Sequence, residues 1–233
     1  DGIHRGGGGF SPVPADLLEE MCRGEGPFGN VDLMLYTHCH PDHFHPGDTA
    51  RYLAANRVKG LFFPDEPPFH RPDLLEAAAR SGASIRWLDS PDGKVCLYSP
   101  LPGVHVGVCR LPHAGGKDFA GVGNYCFLLR LGGKNLFLPA DADYLPEAFS
   151  RMLAGTPVDA ALVNPLYVNK REGRAALAAI APRELIVYHL PFEGMDQLHF
   201  RPAIQRDLER FAGELPPVRL LWNPRQTLLL PAR

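Results

Sequence analysis

The sequence predicts an α/β fold, because short apolar strands alternate along the chain with amphipathic helices. Strands are predicted where β-branched, leucine and aromatic residues run together between Gly, Pro, Asp or Asn. Helices are predicted where apolar residues recur three and four positions apart. Gly and Pro, 24 of each, punctuate the whole chain and separate these elements. Alternating strands and helices of this kind pack as sheets covered by helices.

The strand pattern extends over most of the chain. The predicted strands are 31–36, 60–63, 85–88, 95–98, 104–111, 124–131, 135–138, 160–164, 185–188, 218–222 and 226–230. Gly132 and Gly133 separate two of them and are typical of a two-residue hairpin turn. These two strands are therefore expected to pair antiparallel.

Helical spacing of apolar residues predicts helices around 17–22, 74–79 and 204–211. Two further helices are predicted over 49–56 and 171–181. Gly82 and Gly213 follow the second and third helices, and Pro182 follows the last one. Glycine and proline in these positions are common helix terminators, so the ends of these helices are expected there.

Composition limits the classes of protein that the chain can represent. Of 233 residues, 45% are hydrophobic and 21% are charged, which is ordinary for a globular protein. No linker separates regions of different composition, so a single domain over 1–233 is expected. The net charge of −2 provides no field that would attract nucleic acid or an anionic membrane. No apolar run reaches the roughly 18 residues of a membrane-spanning helix.

The five cysteines are an odd number and include no CxxC pair. This usage favours reduced thiols over a disulfide framework. The sequence also shows no basic start followed by an apolar stretch, which is the pattern of a signal peptide. We therefore expect a cytoplasmic protein.

The segment after the first predicted strand carries the strongest functional pattern. Four of the ten histidines lie within residues 38–45. Side chains alternate along an extended chain, so His38 and His40 should point to one side and Cys39 to the other, as a packed thiol. Asp42 and His43 come after the chain turns and could serve a second ion. Imidazole and carboxylate groups are the usual ligands of zinc, so this loop predicts a metal site.

The run Thr-His-x-His-x-Asp-His, residues 37–43, resembles the signature of the metallo-β-lactamase-fold metal-dependent hydrolases. The resemblance covers essentially the whole chain. It implies a four-layer αββα sandwich in which two mixed β-sheets are flanked by helices. It also implies three later ligands at strand ends, in the order His, Asp, His. The sequence offers His113, Asp141 and His189 in that order.

What the resemblance implies for the site is a pair of zinc ions, with Mn²⁺ or Fe²⁺ as alternatives. The implied ligands are His38, His40 and His113 for the first ion, Asp42, His43 and His189 for the second, and Asp141 bridging both. Asp143 lies two residues from Asp141, and the choice of the bridging carboxylate between them stays open. Asp42 is also the implied catalytic residue, because it would orient the hydroxide shared by the metals. His45 and His199 are candidates for contacts with substrate or with the ligands.

The reaction implied by the resemblance is hydrolysis of a small-molecule ester, lactone or phosphoester. Phe44-His45-Pro46 after the motif resembles the L-ascorbate-6-phosphate lactonase-like branch of these enzymes. One alternative is a phosphodiesterase or nuclease acting on RNA or cyclic nucleotides, although the sequence shows neither a cap domain nor a basic arm. A second alternative is a non-catalytic metal-binding protein on the same fold. The sequence leaves the oligomeric state open.

The start of the chain resembles an internal part of the family fold. In these hydrolases two strands precede a structural aspartate, and Asp1-Gly2-Ile3 resembles that aspartate and its loop. We therefore expect that the N-terminal strands are missing from this sequence. All seven implied metal ligands are retained.

Overall fold

Two β-sheets organise the chain, and each belongs to its own unit. A computed structural model describes residues 1–230. The chain divides into the units Asp1–Asp89 and Ser90–Arg233, called here the first and the second unit. The single domain expected over 1–233 stays a prediction.

The first unit contains a three-stranded parallel sheet. Its strands are β1 (Leu33–Leu35), β2 (Gly60–Pro64) and β3 (Ser84–Leu88), paired in that order. Helix α1 (Ala15–Cys22) precedes them, α2 (Pro46–Ala55) joins β1 to β2, and α3 (Pro72–Ser81) joins β2 to β3. Parallel neighbours need such crossovers. This sheet is therefore parallel throughout, and the expectation that both sheets are mixed is wrong for the first unit.

The second unit contains a mixed sheet of seven strands. They are β4 (Val95–Leu101), β5 (Val104–Pro112), β6 (Gly123–Leu131), β7 (Lys134–Ala140), β8 (Ala160–Val163), β9 (Leu185–Val187) and β10 (Val218–Leu220). Strands β4 to β7 pair antiparallel, and β7 to β10 pair parallel. The helices of this unit are α4 (Pro146–Leu153), α5 (Leu166–Asn169), α6 (Arg171–Ile180) and α7 (Phe200–Arg210).

The hairpin between β6 and β7 is confirmed. Gly132 and Gly133 have φ angles of 56° and 74°, and a type I′ turn needs positive φ at both central residues. Helix α3 ends immediately before Gly82, as predicted, whereas α7 ends three residues before Gly213. Helix α4 was not predicted, although Pro146 occupies a position at its start where proline is favoured.

The predicted strand 226–230 is wrong. The side-chain amide of Gln226 donates a hydrogen bond of 2.6 Å to the carbonyl of Leu220, at the end of β10. Its side-chain oxygen accepts hydrogen bonds from the backbone N–H groups of Trp222 and Asn223. These contacts fold the segment back on the end of β10, so it does not extend along a further strand.

An aromatic cluster forms the part of the first unit's core that lies beside the histidine motif. Tyr36 and Phe44, which immediately precede and follow the motif, are buried with ring centroids 5.0 Å apart. Phe69 stacks on Phe44 at 4.0 Å, and Phe63 lies 5.4 Å from Tyr36. Both ends of the motif are therefore anchored in a packed core.

The second unit has a separate core. Phe137 of β7 packs edge-on against Phe149 of α4, and Tyr167 of α5 lies beside Phe149. Leu177 and Ile180 of α6 belong to the same buried cluster. These helices cover the central strands from which the second unit's candidate ligands extend.

Among residues 1–230, no helix combines the length and the apolar character needed to cross a bilayer.

Truncation of Phe69 should destabilise the fold around the motif. Phe69 is fully buried, so Phe69→Ala should lower the free energy of unfolding by about 3–5 kcal/mol through lost burial and a residual cavity. Urea denaturation measures this difference. Leu97→Ala is the control, because Leu97 is 80% exposed and its truncation should change stability by no more than about 0.5 kcal/mol. Equal effects of the two substitutions would contradict this account of the core.

Candidate metal centre

The histidine motif forms a tight turn after β1. The backbone N–H groups of His43 and Phe44 both donate hydrogen bonds of 2.9 Å to the carbonyl of His40. The chain therefore reverses at Pro41 and Asp42. This turn separates the extended part of the motif, which carries His38 and His40, from Asp42 and His43.

His38 and His40 point to the same side of the chain, as their spacing predicts. Nε2 of the buried His38 lies 3.1 Å from Nδ1 of His40, and the two rings are nearly perpendicular. Two nitrogens bound to one tetrahedral zinc at about 2.0–2.1 Å would lie about 3.4 Å apart. The spacing within this pair therefore suits a shared metal ion.

Asp42 and His43 form the second pair in the first unit. Oδ2 of Asp42 lies 4.0 Å from Nε2 of His43. The His43 ring is buried and lies 4.0 Å, between centroids, from the ring of His38. All four candidate ligands in the first unit are therefore grouped within one loop.

Asp1 and Thr37 orient two of these imidazoles. Nδ1 of His43 lies 3.1 Å from Oδ2 of Asp1, and Nδ1 of His38 lies 2.9 Å from the hydroxyl of Thr37. Thr37 donates its hydroxyl proton to Asp1 Oδ2 at 2.7 Å and its backbone N–H to Asp1 Oδ1 at 2.9 Å. Because the Thr37 hydroxyl donates its only proton to Asp1, its oxygen can only accept a hydrogen bond from His38. Nδ1 of His38 therefore carries the ring proton and donates it to Thr37. Both histidines then carry their lone pair on Nε2, which is the arrangement of metal-binding histidines.

Cys39 lies on the opposite side of the extended segment, and its predicted role as a packed thiol is confirmed. Its side chain packs against the core of the first unit. Burial raises the pKa of the thiol to about 11.

The second unit places its three candidate ligands at one edge of its sheet. His113 follows β5, Asp141 follows β7, and His189 lies just after β9. Strand β5 runs in the same direction as β7 because two antiparallel pairings separate them, and β9 runs parallel to β7 through β8. The carboxyl ends of the three strands therefore share an edge of the sheet.

Backbone hydrogen bonds hold His113 beside Asp141. The N–H of Ala114 donates to the carbonyl of Asp141, and the N–H of Asp143 donates to the carbonyl of Pro112, both at 2.8 Å. Nδ1 of His113 donates to the carbonyl of Ala114. Nε2 is therefore directed to the side of Asp141, whose Oδ2 lies 3.7 Å away.

Two buried asparagines that were not predicted from the sequence fix the position of Asp141. The side-chain amide of Asn164 donates a hydrogen bond of 2.8 Å to Asp141 Oδ1. The side-chain oxygen of Asn124 accepts the backbone N–H of Asp141 at 3.1 Å. Asn164 directly follows β8 and so belongs to the same sheet edge as the ligands. A polar residue directly after a predicted buried strand was the feature of the sequence that could have identified Asn164.

The carboxylate of Asp143 has a different partner. It accepts the backbone N–H of the next residue, Tyr144, at 2.8 Å. This contact is a local turn interaction, whereas Asp141 faces His113. The geometry within the second unit therefore favours Asp141 over Asp143 as a ligand.

The backbone is unusual at two of these strand ends. Ala140, immediately before Asp141, has a φ angle of 51°, and His189 has a φ angle of 58°. Residues other than glycine rarely adopt positive φ, and such positions concentrate at functional sites. The left-handed residues redirect the chain at the points where Asp141 and His189 leave the sheet.

His45 and His199 each lie immediately before the first residue of a helix. Nδ1 of His45 accepts the backbone N–H of Asp48 at 3.1 Å and so caps α2. Asp48 is also paired with Arg5, whose hydrogen bond lowers the pKa of this carboxyl. His199 is exposed and precedes α7, while Asp196 accepts the first N–H groups of that helix. A contact of either histidine with substrate stays a prediction.

Comparison with known proteins identifies the fold. No family model matches the chain, and no curated protein matches it. Among solved structures, a protein assigned as a metal-dependent hydrolase from Parabacteroides distasonis is similar, with a TM-score of 0.55 and 15% identity over 84% of this chain and 79% of its own. Zn²⁺-bound PqqB from Methylobacterium extorquens is similar with the same TM-score and identity, over 91% and 80% of the two chains.

These likenesses confirm the expected fold class: the chain has a metallo-β-lactamase fold, with two sheets flanked by helices. Side chains that could hold a metal ion occur in both units. They are His38, His40, Asp42 and His43 in the first unit and His113, Asp141 and His189 in the second.

Removal of the Thr37 hydroxyl should weaken metal binding more than it weakens folding. Thr37→Val eliminates the hydrogen bonds that the hydroxyl makes with Asp1 and His38, so the His38 ring loses its orientation. Loss of such a partner typically lowers metal affinity about 10–100-fold. Competition with a chromogenic chelator measures the zinc affinity of the purified protein.

Thr49→Val is the matched control. Thr49 is equally buried in the first unit, but its hydroxyl contacts the phenol of Tyr36. It should cost about 1–3 kcal/mol of stability and leave zinc affinity unchanged. A similar loss of affinity in both variants would show that the Thr37 network does not act on the ligands.

Proposed function

We propose that this protein is a dinuclear zinc hydrolase that cleaves an ester, lactone or phosphoester bond in a small molecule. The observation that carries this proposal is the hydrogen-bond network of Asp1 and Thr37, which sets the lone-pair nitrogens of His38 and His43. A network of this kind around paired imidazoles serves metal binding better than it serves packing. The fold shared with Zn²⁺-bound PqqB and with a protein assigned as a metal-dependent hydrolase supports the same reading.

The donor set suits zinc. It consists of imidazole nitrogens and carboxylate oxygens, and the side chain of Cys39 packs against the core of the first unit. Mn²⁺ and Fe²⁺ are the alternative metals. The proposed ligands are His38, His40 and His113 for one ion, Asp42, His43 and His189 for the other, and Asp141 for both. Asp141 is fitted to this role because Asn164 holds Oδ1 and leaves Oδ2 directed towards His113.

When bound, a zinc pair would supply a water of lowered pKa and would polarise the scissile carbonyl or phosphoryl oxygen. The residues of the chain would do the remaining work. Asp42 would accept a hydrogen bond from the attacking water and so direct the lone pair of the water oxygen at the substrate. Asp1 and Thr37 would keep the His38 and His43 rings in place while charge develops.

A small-molecule substrate is favoured over nucleic acid by the net charge of −2, which gives no general attraction for a polyanion. A lactone of the kind cleaved by the L-ascorbate-6-phosphate lactonase-like branch, and a cytoplasmic location, are parts of the same proposal that rest on sequence alone.

Hydrolysis should depend on metal and on His40. Turnover of a panel of 4-nitrophenyl esters, lactones and bis(4-nitrophenyl) phosphate should be lost on chelation and restored by Zn²⁺. His40→Ala should lower kcat/KM at least about 100-fold even with added zinc, because a ligand is missing. His105→Ala is the control: this exposed histidine contacts Ser99 in the β4–β5 hairpin and should leave turnover unchanged.

The outcomes separate the alternatives. Turnover that survives both chelation and His40→Ala would refute the proposal. Cleavage of RNA or cyclic nucleotides with little action on esters and lactones would identify the phosphodiesterase alternative. Two zinc ions per chain without turnover of any substrate would identify a non-catalytic metal-binding protein.

A further inference from the structure

Phe119 has an unusual position next to a candidate ligand. It ends the short helical turn Gly116–Phe119, which follows His113. Its ring stacks on the imidazole of His113 with centroids 4.7 Å apart and an interplanar angle of 27°. Phe119 nevertheless remains 37% exposed. One part of the residue therefore covers His113 while another part faces solvent.

The loop is built to place this ring. Gly115 has a φ angle of 108°, and a Cβ atom at this position would collide with the ring of Phe119. Only glycine allows both this backbone conformation and the close approach. The carbonyl of Phe119 accepts the N–H of Val122 at 2.9 Å, which closes the turn. Gly115 and the closed turn therefore leave room for the ring to lie against His113.

Exposed apolar residues are concentrated in the loops after the candidate ligands of the second unit. Among residues 1–230, six large apolar side chains are exposed, and three of them follow His113 or His189: Phe119, Met195 and Leu198. Met195 and Leu198 are 45% and 58% exposed. Because β5 and β9 end at the same edge of the sheet, these side chains belong to loops on that edge. A contiguous exposed apolar surface beside a site often contacts a ligand.

We propose that Phe119 determines substrate specificity by packing against an apolar acyl group, so that the substrates are esters or lactones with an aliphatic or aromatic acyl chain. This inference rests on the proposed hydrolase function and narrows its substrate class. The His113 ring holds Phe119 from one side, and the acyl chain covers its exposed part. Met195 and Leu198 supply further apolar surface for longer chains.

The expected effect follows from the area removed from water. Each methylene group that moves from water onto an apolar surface strengthens binding by about fourfold. An acyl chain that reaches Phe119 should therefore be preferred over acetyl. Loss of an apolar contact in a substrate pocket typically changes discrimination by about tenfold or more.

The experiment compares 4-nitrophenyl acetate with 4-nitrophenyl hexanoate on the zinc-loaded protein. The aromatic leaving group is common to both esters, so the ratio of their kcat/KM values reports the acyl chain alone. Wild-type protein should prefer hexanoate by at least about tenfold. Phe119→Ala should lower this preference about tenfold, chiefly through KM for hexanoate, and Phe119→Leu should retain most of it.

Leu131→Ala is the matched control. Leu131 is 40% exposed, like Phe119, but it lies at the end of β6, at the opposite edge of the sheet from Asp141. Its truncation should leave the hexanoate preference unchanged. If Phe119→Ala does not fold, as judged by circular dichroism, the ratio measured for Phe119→Leu and for Phe119→Asn decides the question, and only a lower preference in Phe119→Asn than in Phe119→Leu supports the proposal.

The other possible results distinguish failure of the Phe119 inference from failure of the hydrolase proposal. Hydrolysis of both esters with an equal loss in Phe119→Ala would show that the ring only shields His113, and this would overturn the inference while the hydrolase proposal survives. A wild-type preference for acetate would do the same. Failure of the zinc-loaded wild-type protein to cleave any substrate of the panel would overturn the proposed function and the inference with it.

Discussion

The first unit's part of the site depends on one carboxylate, that of Asp1. This side chain accepts hydrogen bonds from the backbone and hydroxyl of Thr37 and from the ring of His43. His38 and His43 are almost completely buried, and a buried imidazole without partners would cost free energy. The same hydrogen bonds fix the tautomer of each ring. They therefore stabilise the folded loop and also leave Nε2 of both histidines with the lone pair that a metal ion needs.

The second unit reaches a similar result with neutral side chains. Asn124 and Asn164 restrain the backbone and the carboxylate of Asp141, and two backbone hydrogen bonds hold the His113 loop against it. The sheet brings these groups to one edge because β5, β7, β8 and β9 share a direction. Ala140 and His189 adopt positive φ at this edge. A left-handed backbone at a residue other than glycine costs conformational free energy, and such residues often occur where a side chain is placed for function.

The sequence was sufficient for features that depend on local order. The alternation that places His38 and His40 on one side and the glycine hairpin both follow from short-range pattern. His113, Asp141 and His189 were expected as ligands from the resemblance to the metallo-β-lactamase-fold hydrolases. Partners distant in sequence could not be predicted: Asp1 reaches His43, and Asn164 reaches Asp141, only after the chain folds. Local pattern also failed where a side chain overrode it, as Gln226 does beyond β10. His45 shows a further limit, since its position after the motif did not reveal its role as the cap of α2.

The central claim is that seven side chains assemble around two metal ions. Anomalous diffraction at the zinc absorption edge, from crystals of the zinc-loaded protein, tests it most directly. The account predicts two anomalous peaks, one bound by His38, His40 and His113 and the other by Asp42, His43 and His189, with Asp141 on both. Well-ordered density for these side chains without an anomalous peak, or zinc bound only elsewhere, would contradict it.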